Sequence, residues 1–411
     1  MAHMLVVSSA YPYPPIDGHT LRNYNFLRCL SGDFSFDLLT YSGEEGQIPA
    51  AQLAQQLGPR CRQVFVVDHN SRRPLRLNPI QKVKNILFPH VFSCGLGVST
   101  EMSQTISERI GSHTYDLLYC CGVNMAAHAQ PYLNMIPSVV DAVDSYSLYR
   151  ESTLSSARGL WSLAVESLNL VWAKRYERVH FGKARDLIFV SPVDRDAVLR
   201  NCPRSTIWVA PNGVDTEYFK AQGQHRRSAN QLLFTGVMDY MPNHEAMVYF
   251  IEEIFPLVQQ HVPDSTLVIA GRDPLPILQD LVRHHEQITL TGFVDDLRPY
   301  FESSSMYVSP LKTGAGMKNK ILEAWAMNMP VVATSVSCSG IETRDGQNIL
   351  VADSPSAFAD GVVRLLRDSA KSEKMAQCGR NTAESIYSWQ AKTAYLESVL
   401  HHVLTRHQAI V

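Results

Sequence analysis

No apolar run in the 411 residues approaches the roughly 20 that a membrane-spanning helix needs. The first residues also lack the succession of basic, apolar and small residues that marks a secretory signal, so a cytoplasmic chain is expected. Eight cysteines, at 29, 61, 94, 120, 121, 202, 338 and 378, include no C-x-x-C pair and no histidine at zinc-ligand spacing. That excludes the common zinc clips, leaves buried thiols as the simplest reading, and no metal is expected. Neither sign of charge is in excess. With 37 Lys and Arg against 39 Asp and Glu the net charge is −2, so no global attraction to nucleic acid or to an anionic membrane is encoded.

What the chain does have is length and alternation. Its 411 residues exceed one ordinary core and suit two α/β domains of about 200 residues each. Ala2-His3 reads as an addition outside the fold. From Met4 onward, short apolar runs recur at Met4–Ser9, Phe36–Tyr41, Val64–Asp68, Tyr115–Cys121, Ser138–Asp144, Asp186–Ser191 and Ile207–Ala210. Most spacers between them are long enough for a crossover helix. A mostly parallel sheet covered on both faces is therefore expected, with ligands at the carboxyl ends of its strands. Pro211-Asn212-Gly213 is a turn, Lys220–Asn230 is polar enough for a linker, and a second alternation begins at Gln231.

The most informative stretch is Met306–Thr334, which reads as strand, glycine loop, helix and strand. Gly314 and Gly316 remove Cβ atoms where the backbone must approach something closely. Met317, Lys318 and Asn319 then present amide N–H groups at the positive end of a helix. Lys320 and Glu323, three residues apart, share a face of its first turns. A diphosphate carrying a ribose would use all of these features. An ordinary loop with a surface Lys–Glu pair is the plainer alternative.

The run Glu323-Ala-Trp-Ala-Met-Asn-Met-Pro-Val-Val-Ala-Thr334, with Gly340 and Glu342 after it, resembles the C-terminal signature of family 4 glycosyltransferases. That resemblance implies the GT-B fold: two facing Rossmann-like α/β domains with mostly parallel sheets and a C-terminal helix crossing back to the first. The domains it implies are 4–212 with the crossing helix 389–406, a linker at 213–230, and a nucleotide-sugar domain at 231–388. It further implies retaining transfer from a UDP- or GDP-sugar co-substrate to an acceptor hydroxyl, with no cofactor required. Glu323 would hold the ribose hydroxyls, and the first glutamate of the family's pair falls on Ala315. After Gly236 the family's Gly-Arg and later Lys are absent, and Asp239-Tyr-Met-Pro-Asn243 matches a subgroup associated with bacterial surface polysaccharides. The diphosphate is then left to Lys318 and Lys320. Arg272 would add a further cation, and Phe293 and Val294 would form the base pocket.

In the first half, the loop Ser9–His19 and the helix from Gly18 fit the same subgroup through Pro14-Pro15, Gly18, His19 and Arg22. Gly18 would let the helix end approach the donor phosphate, and His19 and Arg22 would meet the acceptor; Arg22 reads equally as an exposed helical residue. Asp144-Ser145 closes a strand where the family usually has a histidine. Asp144 would orient an acceptor hydroxyl or stabilise a cationic sugar, or else cap the next helix. Asp194-Arg195-Asp196 has the form of a metal motif but follows Ser191-Pro192 at a helix start, so capping is expected. The segment 72–84 carries five cations, at Arg72, Arg73, Arg76, Lys82 and Lys84, and no acid. It fits either peripheral contact with the inner face of a membrane or a solvated basic loop. The expected partners are a nucleotide sugar and a sugar, lipid-linked or small-molecule acceptor, and no nucleic acid. A nucleotide-sugar 2-epimerase and a non-catalytic sugar-nucleotide-binding protein are the competing readings.

Overall fold

The structure is a computed structural model that describes all residues except 16, 44–46, 69–98, 158, 226, 315–316 and 409–411. The basic segment 72–84, Ala315 and Gly316 lie outside the described residues. Chain contacts divide the protein into two units, one formed by Met1–Pro211 with Lys392–Val411 and the other by Asn212–Ala391.

The first unit is built on seven strands: β1 (Ala2–Ser8), β2 (Phe34–Tyr41), β3 (Cys61–Val67), β4 (Leu117–Cys121), β5 (Ser138–Val143), β6 (Asp186–Phe189) and β7 (Thr206–Val209). All pair in parallel, in the order β3-β2-β1-β4-β5-β6-β7. The chain winds outward from β1 in one direction and then from β4 in the other, so the ends of β1 and β4 form the point where the winding reverses. Runs such as Leu5-Val6-Val7 are buried on both faces, as a sheet with helices on either side requires. Ala2 and His3 belong to this sheet, contrary to expectation. They continue β1 opposite Phe34 and Ser35, and the His3 ring stacks on Tyr115 at 5.0 Å.

The last helix, Trp389–Gln408, supplies Leu396, Val399, Leu400 and Val403 to the interior at helical spacing. On this unit His401 meets Phe34, His402 meets Trp208, and Arg406 pairs with the buried carboxylate of Asp186.

The second unit has six parallel strands: β8 (Gln231–Thr235), β9 (Thr266–Ala270), β10 (Ile288–Leu290), β11 (Met306–Ser309), β12 (Val331–Ala333) and β13 (Leu350–Val351). Their order is β10-β9-β8-β11-β12-β13, so the winding reverses between β8 and β11. Alternate residues feed two cores, Leu232 and Phe234 on one face and Leu233 on the other. The segment 213–230, read as a linker, is anchored to this unit. Val214 bridges to Ser388, Ser228 donates to Ser303, and Arg380 holds the carbonyls of Thr216 and Phe219.

Candidate functional site

At the carboxyl edge of the second sheet three strands end on glycine. A Cβ on Gly271, after β9, would stand 1.7 Å from the Gly236 carbonyl oxygen, so only glycine lets these two strand ends meet. Gly292, after β10, has φ 71°, which glycine adopts without strain. A Cβ on Gly236 would lie 2.7 Å from the Asn243 amide nitrogen and 3.1 Å from Cε of Lys320. The bare Gly236 is therefore the bed on which the Lys320 stem rests.

Lys320 comes from the helix Asn319–Ala326, which follows β11 across the point where the winding reverses. Its inner face buries Ile321, Leu322 and Trp325, and Trp325 fits against Gly379, where a Cβ would stand 2.5 Å away. Lys320 and Glu323 keep some exposure but are walled in by protein on most sides. Desolvation lowers the Lys320 pKa against the opposing pull of Glu323, and desolvation raises that of Glu323 against the pull of Lys320. Gly314, at φ 117°, makes room for the Lys318 ammonium, which lies 3.1 Å from where its Cβ would be. Pro242, at the start of the helix Met241–Tyr249, packs on the same spot. The side-chain oxygen of Asn319 is buried and has no hydrogen-bond partner among the described residues. The loops carrying Gly236 and Gly314 and the helix start at Asn319 thus bring together two lysines, a glutamate and an unanswered amide oxygen.

Phe293, just beyond Gly292, is 71% exposed, and Val294 beside it is half-buried. Arg272 sits at the same edge and forms an exposed ion pair with Asp273 at 2.9 Å. Three contributors were not singled out in the sequence. Asn243 braces the loop by donating to the Val237 carbonyl at 2.9 Å. Tyr307 is fully buried with its hydroxyl against Thr235, and Tyr218 lies under Arg298 at 4.1 Å. Burial and Asp296 push the Tyr218 hydroxyl pKa up against the opposing pull of Arg298, with Glu323 a smaller cause in the same direction as burial. Its position in an apparent linker concealed it.

The first unit corrects several expectations. The helix Gly18–Arg28 is capped by Asp17, whose carboxylate accepts from the amides of His19 at 2.8 Å and Thr20 at 2.9 Å. The anion site expected at Gly18 is thus filled from within the chain. His19 hydrogen-bonds Ser9 at 2.8 Å, over Gly122, where a Cβ would strike the Ser9 hydroxyl at 2.1 Å. Arg22 is neither an exposed helical residue nor placed to meet an acceptor. It is fully buried, with Nε and Nη2 each 2.9 Å from Asp141 Oδ2 and Nη1 donating to Ala210 O at 2.8 Å. Tyr119 donates to the same carboxylate oxygen at 2.6 Å, which makes this a sealed polar tie across the sheet.

Ser145 is buried as well, and it is Ser145, not Asp144, that caps the helix Tyr146–Ser156, accepting from Leu148 N. Its own N–H goes to Asp194, and its hydroxyl to the fully buried Glu177. Asp194 is held by Ser191 and Ser145, and no group of His, Cys, Asp and Glu able to hold a metal occurs among the described residues. Asp144 alone of this set is exposed. Ahead of it, Val143 has φ 69° and Asp144 N donates to Ala142 O at 2.9 Å, a tight γ-type turn that a β-branched residue rarely adopts.

Residues 229–368 match the family model described as glycosyl transferases group 1. Over 392 residues the chain is 21% identical to a 44.6 kDa protein in the cps region of Klebsiella pneumoniae, covering 92% of this chain and 94% of that one. A shorter match, 31% identical over 114 residues, is to a lipopolysaccharide core biosynthesis glycosyltransferase of Rhizobium meliloti, covering 27% of this chain and 33% of the relative. Among solved structures, HepE of Anabaena in complex with UDP superposes with a TM-score of 0.65 at 15% identity, over 98% of this chain and 100% of that one. The fold is GT-B, and the matches support a glycosyltransferase.

Proposed function

We propose that the protein is a retaining glycosyltransferase of the family 4 type that moves a sugar from a nucleoside diphosphate to an acceptor hydroxyl. The observation that carries this reading is Lys320 laid across Gly236, with Glu323 one turn along the same helix and Asn319 Oδ1 unpartnered at its start. Lys318, Lys320 and the helix amides face the diphosphate and stabilise the negative charge that develops as the glycosidic bond breaks, so the chemistry needs no metal. Glu323 accepts from the ribose hydroxyls, and Phe293 covers the base. A uridine diphosphate donor is the first choice, since HepE was solved with UDP.

On the first unit Asp144 is the exposed carboxylate at a strand end, held by a backbone turn of unfavourable φ at Val143, a form of strain that clusters at functional sites. It orients the acceptor hydroxyl or stabilises the cationic sugar, while the leaving phosphate takes the acceptor proton on the same face. The acceptor belongs to a surface polysaccharide or a related glycolipid, in keeping with the Rhizobium relative of lipopolysaccharide core biosynthesis.

Glu323→Ala is expected to weaken nucleotide binding by roughly ten- to a hundredfold, the worth of hydrogen bonds to a charged group. Isothermal titration with UDP checks this, and unchanged affinity would sink the ribose assignment. Lys320→Ala should lower kcat by about a hundredfold with a smaller effect on KM. Incubating the donor without acceptor separates transfer from 2-epimerisation, since only an epimerase forms a new nucleotide sugar under those conditions.

A further inference from the structure

The helix Leu160–His180 carries an outer face unlike that of any other surface helix described in the chain. Leu160 is 89% exposed, Trp161 83%, Val171 63% and Leu168 46%, with Leu163 and Val165 also open to solvent. Over the first three turns Ser167 is the one clearly exposed polar side chain. The inner face is ordinary: Trp172, Ala173, Tyr176 and His180 are buried.

Leu160, Ala164, Leu168, Val171, Arg175 and Arg178 fall within one arc of about 80° at 3.6 residues per turn. An apolar stripe therefore runs straight into two exposed arginines. No acid on this helix is free to offset them. Glu166 is partly buried and faces Arg150 at 3.5 Å, and Glu177 is fully buried and committed to Ser145, Ser147 and Asn201. Beyond the helix Lys183 and Arg185 add exposed positive charge.

We infer that this face docks on an anionic lipid bilayer. The apolar turns enter the boundary between headgroups and acyl chains, Trp161 sits at that level, and Arg175 and Arg178 meet the phosphates. The charge pattern selects this occupant over a second copy of the chain, which would bring uncompensated arginines into the shared interface. Among the described residues no helix is long and apolar enough to cross a membrane, so the contact lies along the surface. The inference stands apart from the donor site and holds or fails independently of it.

The test is co-sedimentation of the full chain with vesicles of phosphatidylcholine alone and of phosphatidylcholine mixed with phosphatidylglycerol, at low and high salt. Binding is expected to the anionic vesicles, to fall with salt, and to drop by about tenfold in both the Leu168→Ser/Val171→Ser and the Arg175→Glu/Arg178→Glu variants. All four side chains are at the surface, so thermal unfolding and UDP binding should stay unchanged and serve as controls. Equal binding by the variants would overturn the assignment. So would a dimer in light scattering that the Leu168→Ser/Val171→Ser variant dissociates, since that would name a second copy as the occupant.

Discussion

Glu323 has its pKa raised above 4.5 by desolvation, and the sign of its effect on stability follows. The folded chain holds this proton more tightly than the unfolded one, so the contribution is fully present below pH 4.5 and is lost as the pH rises through the folded value. Glu323→Gln stays neutral throughout. Its melting temperature relative to the parent protein should therefore increase as the pH is raised from below 4.5 toward neutrality, read by thermal unfolding without nucleotide. A constant difference across that range would show that burial does not dominate at this carboxyl. Desolvation disfavours the charged form of each member of the Lys320–Glu323 pair, while each charge favours the other. The pair was legible in the sequence because helical spacing puts residues three apart on one face. Its energetics were not, because burial depends on what distant segments bring up, such as Gly236 against the Lys320 stem.

The strand ends of the second sheet show how elements make a site that no single segment contains. Gly271 has no room for a methyl group, since its Cβ would overlap the Gly236 carbonyl. Gly271→Ala should force the ends of β8 and β9 apart, costing about 1–3 kcal/mol in chemical denaturation and weakening UDP binding through the displaced bed of Lys320. Wild-type stability together with wild-type affinity would mean that the two strand ends yield without consequence. In the first sheet the same scale explains the corrections. Asp144 and Ser145 are adjacent in sequence, yet the turn at Val143 sends one outward and makes the other a buried cap. Arg22 follows a loop that suggests ligand contact, but Asp141, 119 residues away in the chain, takes its guanidinium inside. Local patterns do not report such long-range partners.

Across the whole chain, the first unit is completed by its last residues, because Arg406 answers Asp186 and the helix Trp389–Gln408 closes over Phe34 and Trp208. Deleting residues 392–411 should leave Asp186 buried without its cation, a loss of about 3–5 kcal/mol before the missing apolar contacts are counted. Calorimetry is expected to show the transition of the first unit weakened or lost while that of Asn212–Ala391 persists. A single transition at the original temperature would contradict this.

The sequence by itself determined the alternation of strands and helices, the placement of glycines at strand ends and the Lys–Glu spacing after β11, since these are local matters of backbone freedom and periodicity. Only the tertiary structure decided which polar residues are exposed. Burial of Arg22 and Ser145, exposure of Asp144 and the bare apolar face of Leu160–His180 depend on what distant segments cover, and a residue type carries no record of its neighbours across the fold.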